Sequence, residues 1–136
     1  MNWQKFFITF IVLYIVTNVL GFLIHGLWLS SQYEQLAGVW RGDMDKFMWV
    51  QYVTGAFYCF FFVFIFARGQ ENKGIMEGIR YGLIMWGFYT IPTVYNQFMI
   101  YPLPYNLIME WLFSDLVVVV ILGILTAVLY KPKKVK

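Results

Sequence analysis

From Phe6 to Trp28 there is no Lys, Arg, Asp or Glu, and the same holds from Phe47 to Ala67, a stretch that contains the run FYCFFFVFIF. A helix crosses a hydrocarbon core of about 30 Å with roughly 20 apolar residues, so each stretch is long enough to span a bilayer. Two further runs, Ile75 to Tyr101 and Tyr105 to Tyr130, have the length but carry charged residues within their limits. A chain of 136 residues that is 61% hydrophobic and 12% charged has too little polar surface to wrap one soluble core. The expectation is an all-α membrane protein: a bundle of four transmembrane helices at about residues 5–28, 47–67, 75–101 and 105–130, forming a single integral membrane domain.

Lys and Arg in short loops set orientation. In a four-span arrangement Lys5, Arg68, Lys73, Arg80, Lys131, Lys133, Lys134 and Lys136 fall on one side, against Arg41 and Lys46 on the other. Both termini are therefore expected in the cytoplasm, with the chain in an inner membrane. The first run is too long for a signal-peptide core and is expected to remain as a helix. In the first outer loop Tyr33, Leu36, Ala37 and Trp40 recur at i, i+3, i+4 and i+7, which predicts a short interfacial helix. The basic residues have no folded soluble face on which to meet nucleic acid; membrane lipids are the expected partners of the tail.

Gly74, Gly78 and Gly82 are spaced by four and stack on one side of the third helix, where small residues admit a close neighbour. That neighbour lies either within the bundle or across a dimer seam. Pro92 removes a backbone donor and is expected to kink the same helix, freeing the Phe88 carbonyl.

Candidate working groups are the polar residues inside the spans. Counted at about 1.5 Å per residue, His25, Asn96, Gln97 and Glu110 reach one outer level, with Gln51 somewhat lower and Asn18 and Asp115 near the midplane. Tyr14, Asn18, Gly21, His25 and Trp28 form one stripe on the first helix, whereas Glu110 and Asp115, five apart, point to different faces. An intramembrane carboxylate costs roughly 2.5 to 3.5 kcal/mol on insertion scales, which makes Asp115 a functional candidate by default. The bland alternative is a hydrogen-bonded Asp115 tying its helix to Asn18 or a tyrosine. His25 has three readings: a helix-linking hydrogen bond, a proton carrier, or a metal or haem ligand. Glu77 and Arg80, three apart at the cytoplasmic end, are expected to form an ion pair. One His and one Cys do not make a closed metal-ligand set, so neither metal nor cofactor is expected. No P-loop, dinucleotide fingerprint, H-E-x-x-H, C-x-x-C or Ser-His-Asp order is present, and the chain is read as a non-enzyme.

The segments FLIHG (Phe22 to Gly26), YEQLAGVWR (Tyr33 to Arg41), KGIMEGIRYG (Lys73 to Gly82), the Ile91-Pro92 pair, PLPY (Pro102 to Tyr105) and the closing LYKPKK resemble a family of small bacterial four-transmembrane-helix proteins of uncharacterised function. The resemblance covers nearly the whole chain. It implies four helices with short loops and brings no activity, cofactor or catalytic residue. The expected role is an accessory or scaffolding subunit of a membrane complex, packed against itself or against other membrane-protein subunits. The alternative is a small proton- or ion-coupled transporter or channel using His25, Glu110 and Asp115, with a membrane-embedded redox or lipid-processing subunit as a third.

Overall fold

The computed structural model describes residues 1–131; the tail residues Lys133, Lys134 and Lys136, read above as a positive-inside anchor, lie outside them. Among the described residues every regular element is helical. Helix α1 (Trp3–Gly21) continues without a break into a π-helical stretch, Phe22–Trp28, and is followed by a short helix α2 (Ser30–Gln35). A 3₁₀ turn, Met44–Phe47, leads into α3 (Met48–Gly69). Helices α4 (Ile75–Met85) and α5 (Ile91–Ile100) are joined by a second π-helical stretch, Trp86–Thr90, and α6 (Tyr105–Leu129) closes the fold.

Three helical runs, Trp3–Trp28, Met44–Gly69 and Tyr105–Leu129, are long and apolar enough to cross a membrane. The run Ile75–Ile100 is as long but less apolar, because Glu77, Arg80, Asn96 and Gln97 lie within it. Continuous helix is what such sequences must adopt in hydrocarbon, where each backbone N–H and C=O has to find its partner inside the segment.

Helix α6 is the centre of the bundle: 39% of its most apolar stretch is buried, against 22% for α3 and 11% for α1. At one end of the molecule the N-terminus meets the end of α6. The Asn2 backbone N–H donates to the Tyr130 hydroxyl at 3.2 Å, and the Asn2 side-chain amide donates to the Lys131 carbonyl at 3.1 Å. Phe6, Leu13, Phe62, Val63, Leu122 and Tyr130 pack together in that half. A second cluster, with Leu29, Val94, Leu103, Leu107, Ile108 and Leu112, fills the opposite half. Pro102 and Pro104 confine the α5–α6 connection to a tight extended turn, so those helices run antiparallel.

Because lipid is as apolar as a leucine side chain, close packing and hydrogen bonds must hold such helices together. Both are concentrated between α4 and α6. A Cβ added at Gly78 would lie 2.9 Å from the Ala127 Cβ, and one at Gly82 would lie 2.8 Å from the Val119 carbonyl oxygen. Gly123 supplies the facing gap on α6. The glycine spacing thus serves contact within the chain. Gly74 is not part of it: its φ of +70° places it in the turn before α4, with nothing near its would-be Cβ. Tyr81 adds a hydrogen bond from its hydroxyl to the Phe62 carbonyl of α3 at 2.6 Å, and the Trp86 indole donates to the Leu112 carbonyl of α6 at 3.0 Å.

The first loop departs from expectation. Its helix stops at Gln35, and turns carry the chain on to Trp40. Tyr33, Leu36 and Trp40 pack onto the second core cluster as a lid, while Ala37 is exposed. The helix is short because Gly38 follows two residues beyond Leu36, and glycine weakens a helix interior.

Candidate functional site

Gln51, Thr54, Gly55 and Tyr58 recur at i, i+3, i+4 and i+7, so α3 presents them as one stripe. On α6 the same spacing aligns Asp115, Val118, Val119 and Leu122. These two stripes, Thr17 of α1 and the end of the π-helical stretch at Tyr89 and Thr90 border a chamber of about 260 Å³ that is open to the surface on one side. Among the described residues Asp115 is its one carboxylate, and no Lys, Arg or His lines it.

Two of its polar neighbours have bonds of their own. The Thr54 hydroxyl donates to the Val50 carbonyl at 2.8 Å, and the Thr17 hydroxyl lies 3.5 Å from the Cys59 sulfur. Asp115 is half-buried and, among the described residues, its carboxylate has no hydrogen-bond or ion-pair partner. The tie to Asn18 does not form, because the Asn18 amide turns back to the Tyr14 carbonyl of its own helix at 2.8 Å. Thr17, one position away, is the α1 residue that reaches the chamber.

The second π-helical stretch shapes the chamber wall. Ile91 donates its N–H to the Trp86 carbonyl, five residues back, and Pro92, next in the chain, has no N–H to give. The wider turn absorbs the lost donor and leaves Thr90 buried while Tyr89 faces the chamber.

A second polar cluster sits at the lid end. The Trp111 indole donates to the Tyr33 hydroxyl at 2.7 Å, and that hydroxyl stands 2.6 Å from His25 Nδ1. Indole can only donate, so the Tyr33 hydroxyl accepts from it and gives its own proton to Nδ1; the imidazole proton is then assigned to Nε2. Burial pushes the Tyr33 hydroxyl up to about 12; the Trp111 hydrogen bond opposes the rise, and the charges of Asp115 and Glu110 add to it. Glu110 accepts from the Gln32 amide at 2.5 Å. His25 lies within the first π-helical stretch, whose exit is marked by the Leu29 N–H bonding the Ile24 carbonyl five residues back.

The remaining candidates are scattered. Asn96 is exposed on α5, away from the bundle, and Gln97 lines a separate cavity with Trp40 and Tyr101. Glu77 and Arg80 do not pair. Glu77 is buried and accepts the backbone N–H groups of Glu71 and, at 2.7 Å, of Lys73, while Arg80 bonds Glu71 at 3.2 Å. Helical side chains lean toward the N-terminus, which carries the Glu77 carboxylate into the turn before α4 and away from Arg80. Among the described residues no group of three or more His, Cys, Asp or Glu could hold a metal ion. No family model, curated protein or solved structure matches this chain.

Sequence reasoning singled out Asp115 and Gln51 but missed Thr17, Thr54, Tyr58, Tyr89 and Thr90. For α3 the signal was available in the Gln51–Thr54–Gly55–Tyr58 spacing. For Tyr89 and Thr90 it was not, since the wide turn that places them has no composition of its own.

Proposed function

We propose that the chain is a four-span protein of a bacterial inner membrane that handles a proton or a small cation at Asp115, in the manner of a small transporter or channel. In this reading Ile75–Ile100, about 40 Å long at about 1.5 Å per residue, is the third span. Both termini are cytoplasmic, in keeping with Lys5, Arg68, Lys73, Arg80 and Lys131 at the end where the N-terminus meets the end of α6. The lid helix α2 then lies at the outer interface.

The observation that carries the proposal is a carboxylate that has no partner among the described residues and faces a chamber between helices whose lining includes Thr17, Gln51, Thr54, Tyr58 and Tyr89. A carboxylate retained there only to tie helices would be expected to have found a donor. His25 and Tyr33 stand at the lid end of the same helix bundle as a hydrogen-bonded pair able to pass a proton.

The test is proton movement in lipid vesicles that hold a pH-reporting dye and an imposed gradient. Vesicles with the wild-type protein should lose the gradient faster than empty ones, and Asp115→Asn should return the rate to that of empty vesicles. Equal rates for wild-type and empty vesicles would remove the proton branch of the reading.

A second reading, an accessory subunit without its own chemistry, is favoured by one feature. The outer face of α3 exposes Phe57 and Phe61 beside a shallow apolar groove of about 240 Å³ shared with Ala56 and Phe60. With the glycine seam closed within the chain, this groove offers a docking face for another helix. Native-mass analysis of the gently extracted protein separates the two readings: a defined larger assembly lost on Phe57→Ser supports the accessory role.

A further inference from the structure

We infer that the Asp115 chamber takes a small organic ammonium ion. The inference rests on the cation-handling reading above and names the class of cation.

Charge comes first. Among the described residues the chamber wall carries one carboxylate and no cationic side chain. An anion would meet uncompensated repulsion, and a neutral ligand would leave the carboxylate without a counter-charge.

Size and ligand set decide among cations. At about 30 Å³ for a water's share of liquid volume, the chamber has room for roughly eight or nine non-hydrogen atoms. A bare monovalent ion would leave most of that space unfilled. A divalent ion would keep a net positive charge beside the single carboxylate, and among the described residues no group of three or more His, Cys, Asp or Glu could hold a metal ion.

The walls suit an ammonium group on a compact body. Tyr58 and Tyr89 stand with ring centroids 5.4 Å apart and planes inclined at 42°, forming a corner of two π faces beside the carboxylate. Ring faces attract ammonium ions, increasingly so where water is excluded. In the same lining the Gln51 amide oxygen and the Thr17 hydroxyl offer acceptors for the remaining N–H bonds. Gln51, Thr54 and Tyr89 are exposed, so the chamber is open on their side for entry.

The experiment uses the full-length protein in lipid nanodiscs, phenethylamine as probe and 2-phenylethanol as its uncharged counterpart. Calorimetric titration should show phenethylamine binding, about a hundredfold weaker in Asp115→Asn, where the ammonium would lack its counter-charge, and weakened in Tyr58→Leu. The alcohol should not bind. A measurement on the wild-type protein alone covers the case of a variant that fails to assemble. A lipid-soluble carbodiimide should modify Asp115, read by mass spectrometry, and the tertiary amine N,N-dimethylphenethylamine, which forms no amide with an activated carboxyl, should protect it where the alcohol does not.

Absence of protection, or equal binding by Asp115→Asn, overturns the inference. Proton flux that depends on Asp115 without amine protection would overturn the ammonium assignment and leave the proposed function standing. Protection without flux would support the ammonium site and remove only the proton branch.

Discussion

Helix α6 builds two contrasting regions from neighbouring turns. Toward α4 it presents Gly123, Val119 and Ala127, and the backbones close until a single added Cβ on Gly78 or Gly82 has no room. Toward α1 and α3 it presents Asp115 and Val118, and a chamber of about 260 Å³ stays open. The difference follows from what lines each face. Glycine removes the atoms that hold helices apart, so the seam shuts; tyrosine, threonine and glutamine hold them apart, and the π-helical turn after Met85 diverts the chain before it can close over Asp115. The seam has the features of a structural element and the chamber those of a working one.

The sharpest way to break that contrast is to add volume to the seam. Gly78→Val should destabilise the fold by about 3 kcal/mol, because backbone atoms of α6, and no flexible side chain, occupy the needed space. Reversible unfolding in mixed micelles followed by circular dichroism would measure it; a loss under about 0.5 kcal/mol would show that the seam is not close-packed. The opposite change belongs to the chamber. Asp115→Leu should raise stability by about 1 to 3 kcal/mol, since it removes an intramembrane carboxylate that has no partner, while ending any transport. A loss of stability would mean that Asp115 holds the helices together.

The lid tests whether the two halves are coupled. Tyr33→Phe deletes the acceptor of Trp111 and the donor to His25, leaving a partly buried indole N–H without its bond, and should cost about 1 to 2 kcal/mol. Tyr81→Phe removes a single bond beside the seam, to the Phe62 carbonyl, and should cost about 0.6 kcal/mol, the average for interhelical bonds in lipid. If Tyr33→Phe costs no more than Tyr81→Phe, the lid is not fastened through Trp111.

How much of this was legible in the chain differs between the regions. The apolar runs were legible because hydrocarbon excludes charge, and Phe6 to Trp28 contains none. Gly78 and Gly82 were legible by spacing. Their partner Gly123 was not, since one glycine among Val, Ile and Leu has no periodicity to announce it. Asp115 was visible by its cost, and half of its chamber by the Gln51–Tyr58 stripe. What escaped depends on backbone detail: the π-helical turns at His25 and before Pro92 differ from α-helix by one residue in hydrogen-bond span. Glu77 looked like the partner of Arg80 because helical spacing allows it. Its actual partners are amide groups of a turn in which Asn72 has a φ of 59° and Gly74 one of +70°, a conformation that a helical-spacing rule does not contain.

That same turn supplies the smallest test of the contrast. Glu71 is exposed, and its hydrogen bonds to Lys73 and then Arg80 hold its carboxyl below the usual carboxylate range. A carboxylate lowered on folding stabilises the fold above its unfolded value, near 4.3, and that contribution fades as pH falls through the folded value. Acid should therefore loosen the approach to the seam, where Arg80 sits between Gly78 and Gly82, while Lys73 and Arg80 keep their charge. Comparing unfolding midpoints of the wild type and Glu71→Gln from neutral pH downward isolates this group from other carboxylates. The difference between them should shrink steadily below about pH 4 and vanish once Glu71 is protonated in both states. A constant difference across that range would mean that Glu71 acts through its shape and not its charge. The seam would then owe its fit to glycine alone.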